Sequence, residues 1–404
     1  MGHTHTYTRK FSLADLIYAA SGYRQHDQNQ LVSQVVVEGN GTIEESDLKQ
    51  AVETVSVSCP ATRARLRGAW GFKHWSATGP LPHVRTIHQE WDGQYQNGLS
   101  FIDKPLDLIS GPVAEIIQVV GSKTFLVFRI HHAVTDGVGL MDFVHSIFLA
   151  LNQLQPEPFY SKITVEKMPP GNIKAIPPKV SNAALPYPLN SEPQTPDRSR
   201  VWRRLSVAGK DHKILLKVIL ALAELARKDK QQTIRIHVPA SLRRHVPNER
   251  SSANLVGMVK LDISPEDNCR TLVKKFNARL EEKQELPIAV NSLSSKLAFW
   301  IPLCVLHKIE KFALSKLLAQ PRFSCSGTAS SLGKLKLKEY STETFQAQSC
   351  YGIPIPPLGS PVMAVIMSSE ASTEIVLSVN RTLISDSAMD TMSEKFHSLV
   401  MNLK

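Results

Sequence analysis

The spacing of apolar and polar residues along the chain alternates between two patterns. Apolar residues three and four apart indicate amphipathic helices, and short runs rich in Val, Ile and Phe indicate buried strands. Both patterns occur before the middle of the chain and after it. In the first half we predict a helix over 12–20, a strand over 31–38, a helix over 44–57, a strand ending at His131 and a helix over 139–154.

The second half repeats the mixture of helices and strands. Because strands and helices mix in both halves, the sequence predicts an α/β fold made of two lobes. The predicted elements are a helix over 211–227, strands over 233–238 and 256–263, a helix over 265–282, a strand pair over 362–367 and 373–379, and a final helix over 387–403.

A proline-rich stretch separates the two halves. Residues 154–196 hold ten of the 25 prolines, a density that helices and sheet interiors tolerate poorly. We therefore predict a crossover linker there. The expected organisation is a first lobe over 1–155, a linker over 156–200 and a second lobe over 201–404.

The stretch FLVFRIHHAVTDGVGLMD, residues 125–142, carries the clearest chemistry. An apolar strand runs into His131 and His132, and Asp136 and Gly137 precede a helical pattern. An imidazole can take a proton from a hydroxyl or an amine as that group attacks a carbonyl. Asp136 could orient the imidazole, or it could face away and anchor the turn through an arginine. Gly137 suits a turn in which a Cβ would be costly.

Other interpretations of this stretch are open at this point. The two histidines could be a structural pair, and together with Asp136 they could bind a metal ion. No second cluster with metal-ligand spacing accompanies them, so we expect no metal. A GxSxG motif and a complete dinucleotide fingerprint are also absent from the sequence, which argues against a serine hydrolase and a nucleotide site.

Composition is typical of a soluble enzyme. A chain of 404 residues with 42% hydrophobic content can bury one large or two medium cores. Five widely spaced cysteines without a CxxC motif indicate reduced thiols, and hence a cytoplasmic location. The N-terminus shows no signal-peptide pattern, and the longest uncharged apolar run, 297–306, is shorter than the ~20 residues that span a bilayer.

The formal net charge is +11, with a pI of about 9.4. A solvated basic surface would account for it, and so would attraction to a phosphorylated thioester donor, either coenzyme A or the phosphopantetheine arm of a carrier protein. No nucleic-acid-binding pattern interleaves these charges with aromatic residues, so we expect no nucleic-acid partner. The local basic clusters lie at 63–67, 198–204, 243–244 and 334–338.

The sequence HHAVTDG resembles the HHxxxDG signature of the acyltransferase superfamily that includes chloramphenicol acetyltransferase, BAHD acyltransferases, wax ester synthases, polyketide-associated acyltransferases and nonribosomal peptide condensation domains. Weaker resemblances follow in the expected order along nearly the whole chain. Cys59 stands where the family usually has a histidine. The supporting segments are SDLKQAVETVSVSCPATRARL (46–66), FIDKPLDLISGPV (101–113), IRIHVPASLR (234–243), ANLVG (253–257) and the SSLG turn (330–333).

The resemblance implies two chloramphenicol-acetyltransferase-like lobes that pack as a V, with a central tunnel and His132 at its middle. It implies that His132 is the general base, that His131 is structural, and that Asp136 pairs with an arginine of the second lobe. Arg243 is the candidate partner. The backbone N–H of Gly137 is a candidate oxyanion donor, and no cofactor-binding residue can be assigned. No cofactor is expected to stay bound; acyl-CoA or a phosphopantetheinyl carrier is the expected co-substrate.

Three functions remain open at this point. The chain could be an acyltransferase that acts on an alcohol or amine acceptor, a trans-acting condensation enzyme that joins two carrier-bound substrates, or a degenerate member kept for binding. The intact HHAVTDG argues against the last. We expect a monomer without a transmembrane segment. The apolar, lysine-bearing segment 296–318 is expected to pack in the second lobe, or else to face a membrane or an acyl chain.

Overall fold

The computed structural model describes residues 7–22, 31–96, 99–172, 183, 199–287, 292–319, 322–357 and 359–403. Much of the predicted linker, 173–182 and 184–198, lies outside these residues. The strands are β1 Thr8–Lys10, β2 Val32–Gly41, β3 Arg65–Arg67, β4 His74–Ser76, β5 His83–His88, β6 Ala114–Val120, β7 Thr124–His131, β8 Arg200–Ala208, β9 Ile234–Ser241, β10 Val256–Ile263, β11 Gly327–Lys334, β12 Phe345–Ile353, β13 Val362–Ser368 and β14 Ser372–Asn380. The helices are α1 Leu13–Ala20, α2 Glu45–Ser58, α3 Gly137–Leu151, α4 Ile214–Ala226, α5 Cys269–Glu281, α6 Leu293–Ala298, α7 Leu303–Ala319 and α8 Asp386–Asn402.

The first sheet has the strand order β12-β2-β7-β6-β5. Its neighbouring strands are antiparallel, except for the parallel pair β5 and β6. The edge strand β12 comes from the second half of the sequence, and its Cys350 lies opposite Val37 of β2. A strand from the second half therefore completes the sheet of the first half. The assignment of lobes to residue ranges stays a prediction.

The second sheet has the order β10-β9-β11-β13-β14-β8, and β1, β4 and β3 form a small third sheet. In the second sheet β11 runs parallel to both β9 and β13, and the other neighbours are antiparallel. The predicted strand pair is confirmed as β13 and β14, with Val362 opposite Val379. The α/β prediction is confirmed in both halves of the described chain.

Strand β7 is buried on both faces, which explains its continuous apolar sequence. Because side chains alternate along a strand, Leu126 and Phe128 join the core that contains α2 and α3. Phe125 and Val127 point the other way, into a cluster that also contains Trp202 of β8. The two large sheets thus face each other across this second cluster, and β7 lies next to the junction of the two halves.

The predicted helices and strands occur within a few residues of their predicted ends. We predicted that the segment 296–318 packs in the second lobe. Its α7 packs against both halves: Leu303 belongs to the core of the first half and α7 contacts α1, whereas Leu317 packs against the core of the second half. The predicted SSLG turn is wrong, because Ser330 lies within β11. The strand is irregular there, with a register shift between Ser331 and Lys334 and a φ of 92° at Gly333.

Strand β8 corrects the interpretation of one basic cluster. The sequence pattern around 198–204 suggested exposed charge. In the structure, Arg200 and Arg204 are only 6% and 7% exposed, because both point from β8 into the interior. Within this cluster, Arg200 and Arg204 therefore contribute ion pairs in the interior rather than a basic surface.

Candidate active site

Both histidines of the HHAVTDG stretch leave the end of β7 with their backbone fixed. The N–H of His131 donates to the carbonyl of Val113 at 2.9 Å, and the N–H of His132 donates to that of Leu31 at 2.7 Å. Arg9 donates to the carbonyl of Val134 at 2.9 Å. The turn is therefore attached to several neighbouring segments before any side chain of the site is considered.

His131 is fully buried. Its Nδ1 accepts a hydrogen bond from the N–H of Ala133 at 3.1 Å, which requires that this nitrogen carry no proton. Burial, and then the charge of His132, lower the pKa of His131 to about 3. The ring is therefore neutral at physiological pH.

His132 is partly exposed and lines a cavity. Its ring stacks on that of Tyr18, with centroids 4.1 Å apart and an interplanar angle of 18°. Burial lowers the pKa of His132 below its usual value, although Asp136 and Asn254 oppose this effect. Its Nδ1 is buried and has no hydrogen-bond partner among the described residues. A neutral imidazole at a cavity wall can accept a proton.

The carboxylate of Asp136 is 1% exposed and joins the turn to the second half of the chain. Its Oδ1 accepts from the N–H of Gly139 at 2.9 Å, so it caps α3. Its Oδ2 accepts from Arg243 Nη1 and from the N–H of Leu255, both at 2.8 Å. Burial alone would raise the pKa of Asp136, but the charge of Arg243 and these hydrogen bonds lower it below its usual value.

Arg243 is held on its other side as well. It lies in a 3-10 helix, Leu242–His245, that follows β9. Its Nη2 donates to the carbonyls of Ser251 and Ala253, both at 3.0 Å. The guanidinium therefore links the start of α3 to the segment that precedes β10, and it has little freedom to leave Asp136.

Gly137 is the first residue of α3, and its place there has a different cause from the predicted one. Its φ is not positive, so its backbone conformation suits other residues too. A Cβ on Gly137 would lie 2.6 Å from Leu332 Cδ2, so a larger residue there would require the end of this half-buried side chain to move. The N–H of a first helical residue has no partner within its own helix and points along the positive end of the helix dipole.

The sequence showed Asn254 only as part of a weak resemblance and gave it no role. In the structure its amide nitrogen donates to the carbonyls of His132 and Ala133 at 2.9 and 3.2 Å, and to Asp15 Oδ1 at 3.0 Å. Asp15 in turn accepts from Trp75 Nε1 at 3.0 Å and lies 3.6 Å from Arg9. This buried network positions the histidine turn. Only long-range contacts reveal it, so no local sequence signal could have done so.

The cavity beside His132 has a volume of about 470 Å³, which is in the usual range for a small-molecule site. Both halves of the chain line it: Tyr18 and His132 from the first, and Met258, Ser330 and Met363 from the second. Most of the lining side chains are apolar. A site with this lining can hold an apolar chain next to the imidazole of His132.

A second polar pair lies in the cavity wall and was not predicted. Arg200 Nε is 3.5 Å from Asp103 Oδ1, and Arg200 Nη1 donates to the carbonyl of Pro354 at 3.4 Å. Both side chains line the cavity. The cavity wall therefore contains charged groups besides His132, among them the pair Asp103–Arg200 and Glu310.

Within the described parts of the chain, no three His, Cys, Asp or Glu side chains are grouped as metal ligands would be. A search of the same residues finds no helix with both the length and the apolar character needed to cross a bilayer.

No protein-family model matches the sequence, and no curated protein matches it. Solved structures do match. A variant of the starter condensation domain of rhizomide synthetase, in complex with C8-CoA and Leu-SNAC, has a TM-score of 0.68 at 12% identity over 98% of this chain and 94% of that chain. The condensation domain from Monacolin K polyketide synthase has a TM-score of 0.62 at 10% identity over 98% of each chain.

The epimerization domain from the third module of tyrocidine synthetase B also matches, with a TM-score of 0.54 at 12% identity over 98% of this chain and 97% of that chain. At these identities the similarity concerns the fold, and it extends along nearly the full length of each chain. The chain thus has the two-lobed fold of condensation domains, which is the fold that the resemblance of HHAVTDG implies.

Proposed function

We propose that the protein is an acyltransferase. It moves an acyl group from a phosphopantetheine thioester, either acyl-CoA or a carrier-bound acyl group, to an alcohol or amine. His132 acts as the general base, and no covalent acyl-enzyme forms. One observation carries the proposal: His132 lies, with a lowered pKa, in the wall of a largely apolar cavity to which both halves of the chain contribute.

The ring nitrogen that acts is Nε2. Nδ1 of His132 is buried, whereas the residue itself is partly exposed and lines the cavity. Nε2 is therefore the nitrogen that can reach a substrate. The stacked ring of Tyr18 and the fixed carbonyl of His132 limit rotation of the imidazole.

The reaction needs one proton acceptor and two substrates held together. Nε2 takes the proton of the acceptor O–H or N–H while the acceptor oxygen or nitrogen attacks the thioester carbonyl carbon. The C–S bond then breaks, and the imidazolium returns the proton to the departing thiolate. An ester or an amide and a free thiol leave, and the histidine is neutral again.

The oxyanion that forms during attack requires a hydrogen-bond donor. The N–H of Gly137 at the start of α3 is our candidate, because the helix dipole favours negative charge there. His131, Asp136 and Arg243 have a structural role in this proposal: they hold the turn, and none of them transfers a proton.

A thioester donor fits the cavity and the structural neighbours. The apolar lining suits an acyl chain, and one matching condensation domain was solved with C8-CoA. We also propose a cytoplasmic location. All five cysteines are free in the structure, which is usual in a reducing compartment.

The test compares acyl donors with one another, and the wild type with a variant that lacks the imidazole of His132. The protein is incubated with straight-chain acyl-CoA thioesters, or with the same acyl groups on a carrier protein, and with a panel of alcohols and amines. Mass spectrometry detects the acylated acceptor. We expect product from the wild type, and a decrease of about 10²- to 10⁴-fold in kcat/KM for His132→Ala, with an unchanged unfolding midpoint.

The matched control is His83→Ala, which removes an exposed histidine at the start of β5. It should keep full activity. Near wild-type turnover in His132→Ala would remove this residue from the mechanism, and the absence of product with every donor would overturn the proposed function.

A further inference from the structure

Apolar side chains cluster on one outer surface of the molecule. Of the 17 large hydrophobic side chains that are exposed in the described chain, eight belong to α6, α7, the connection between them, and the short 3-10 helix Trp70–Phe72. We call this surface, together with its lysines, the apolar–basic face. Its apolar members are Trp70, Phe72, Leu293, Leu297, Trp300, Val305, Ile309 and Phe312, and its lysines are Lys296, Lys308, Lys311 and Lys316.

The two helices present these side chains in stripes. Leu293 and Leu297 are four residues apart on α6, and Val305, Ile309 and Phe312 follow helical spacing along α7. Their exposed fractions run from 42% to 73%. An apolar stripe of this kind normally faces a core, yet α7 already packs with its opposite side, where Leu303 joins the core of the first half.

The segment Trp70–Phe72 is fixed against the helices. Lys73 Nζ donates to the carbonyls of Trp70, Phe299 and Ile301 at 2.8, 2.6 and 3.0 Å. The ring of Phe72 lies 5.8 Å from that of Trp300. These contacts hold both indoles in the surface, where they are 55% and 53% exposed.

The backbone of this segment also favours a functional surface. Trp70 has a φ of 51°, a conformation that L side chains rarely adopt. Gly71 permits close contact, since a Cβ there would lie 2.8 Å from Trp300. The protein thus retains a disfavoured conformation that leaves a tryptophan in solvent.

The charge of the face indicates which kind of partner it fits. Residues 292–319 contain four lysines and one acidic residue, Glu310, which lines the internal cavity instead. Lys316 Nζ lies 4.6 Å from the ring centroid of Phe312, so charge and apolar surface are interleaved. Protein–protein interfaces are depleted in lysine, whereas helices that lie on membranes combine lysine with Trp, Phe and Leu.

We propose that the apolar–basic face docks on an anionic lipid surface. The apolar side chains enter the boundary between headgroups and acyl chains, the two tryptophans lie at headgroup level, and the lysines contact lipid phosphates. The face adjoins the internal cavity, because Leu314 and Leu317 of α7 line that cavity from the other side of the helix. The proposal does not depend on the acyl transfer proposed above.

The experiment measures cosedimentation of the whole protein with vesicles. One set contains phosphatidylcholine and phosphatidylserine, and the other contains phosphatidylcholine alone. We expect binding to the anionic vesicles that weakens as salt is added. The triple variant Leu293→Ser, Leu297→Ser, Phe312→Ser should lower the partition coefficient by at least ~30-fold, because burial of each such side chain favours the bound state.

A charge variant tests the lysines. Lys308→Glu with Lys311→Glu should weaken binding to anionic vesicles by about 10-fold or more and should leave the weak binding to neutral vesicles unchanged. The matched controls lie elsewhere on the surface: Val57→Ser with Leu154→Ser for apolar exposure, and Lys228→Glu with Lys230→Glu for charge. Both control pairs should bind as the wild type does.

Each other result overturns the proposal. The proposal is wrong if the wild type does not bind anionic vesicles, or if the triple variant binds them as well as the wild type does. If the triple variant changes only self-association in sedimentation velocity, the face joins two copies of the chain. If it changes only binding to an acidic carrier protein, the face recognises protein. Vesicle binding can be measured even where no acyl transfer occurs, so failure of one proposal is distinguishable from failure of the other.

Discussion

Two buried ion clusters connect the halves of the molecule, and they are built differently. At the histidine turn, Asp136 meets one guanidinium, that of Arg243, and takes two further hydrogen bonds from backbone N–H groups. Between the sheets, Arg204 lies between two carboxylates, with Glu38 at 2.6 Å and Glu374 at 2.8 Å. The first cluster pairs one charge of each sign, whereas in the second two carboxylates share Arg204, and one of them, Glu38, also contacts the half-exposed Lys123.

Their surroundings differ as well. The guanidinium carbon of Arg204 lies 4.1 Å from the ring centroid of Tyr351, and Arg204 Nη2 donates to Ser349 at 2.7 Å, so all its contacts are interior ones. Asp136 lines the cavity, and of the described residues that do so none is Glu38, Arg204 or Glu374. The same physics therefore serves two purposes: one cluster fixes a turn that bears a functional group, and the other fixes the sheets to each other.

Asp136→Ala should produce the largest combined effect, because it breaks a buried pair beside His132. Removing one partner of such a pair costs about 3–5 kcal/mol of unfolding free energy. The loosened turn should also lower kcat/KM by ~10-fold or more. Denaturant unfolding and steady-state kinetics measure the two effects.

The double variant with Arg243→Ala identifies the partner. It should be less harmful than the sum of the two single changes, with a coupling of about 0.5–3 kcal/mol. Strictly additive losses would show that Arg243 is not the residue that balances Asp136. A fully stable Asp136→Ala protein would contradict the structural role itself.

Arg204→Ala should match that loss of stability without its effect on turnover. It leaves Glu38 and Glu374 buried without their shared cation, so we expect about 3–5 kcal/mol less unfolding free energy. The kcat/KM of the folded fraction should stay within ~2-fold of the wild type. Lys49→Ala, which removes an exposed partner of Glu45, is the control and should leave the unfolding free energy nearly unchanged.

A fall in the turnover of folded Arg204→Ala comparable to that of Asp136→Ala would erase the distinction between the two clusters. It would show that the relative position of the sheets, rather than the turn, controls the site.

Asn254→Ala should have a smaller effect, confined to the turn. It removes the amide hydrogen bonds to the carbonyls of His132 and Ala133, at about 1–3 kcal/mol of stability, and we expect kcat/KM to fall by ~10-fold. Asn254 also raises the pKa of His132, so the activity profile of the variant should shift to lower pH. Asn152→Ala, which affects an amide at the end of α3, should leave that profile in place. An unshifted profile in Asn254→Ala would mean that Asn254 has no role in positioning the base.

The smallest effect concerns pH in the wild type. Only the neutral imidazole accepts a proton, and burial lowers the pKa of His132 from its ordinary 6.5. Activity should therefore be flat through neutral pH and should fall on acidification with an apparent pKa below 6.5. The measurement is kcat/KM against pH, and an apparent pKa above 6.5 would contradict a buried base.

The free energy of unfolding should also depend on pH, through His131. The pKa of His131 is about 3 in the folded protein and 6.5 for an ordinary histidine, so the unfolded chain binds the proton more readily between these values. This residue's contribution to stability is therefore complete above pH 6.5 and is lost as pH falls towards 3.

Local patterns predicted much of the fold and part of the site. The sequence predicted the helices with regularly spaced apolar residues and the strand before His131, because the residues that indicate their burial are close together in the sequence. Strand β6 was missed because Glu115 and Gln118 interrupt its apolar pattern, and both are satisfied by distant partners: Glu115 pairs with Arg129, and Gln118 donates to the carbonyl of Ile43 at 2.8 Å. Strand β8 was missed for the same reason, because the buried Arg200 and Arg204 interrupt its apolar pattern.

The residues of the site likewise divide into those that are close together in the sequence and those that are distant in it. One short segment contains His131, His132, Asp136 and Gly137, so a single sequence motif was enough to identify all four. Asn254 and the pair Asp103–Arg200 reach the site from elsewhere in the chain, and only the folded structure places them there.

The position of β12 at the edge of the first sheet has a consequence for synthesis on the ribosome. Ser349 of β12 bonds to Glu38 of β2, a residue that precedes it by 311 positions. At ~5–20 residues per second, β2 emerges about 15–60 s before its partner exists. During that time β2 is an open strand edge that can pair with another nascent chain. The sheet of the first half is therefore complete only after β12 has been translated, and until then the open edge of β2 must be kept from pairing with other chains.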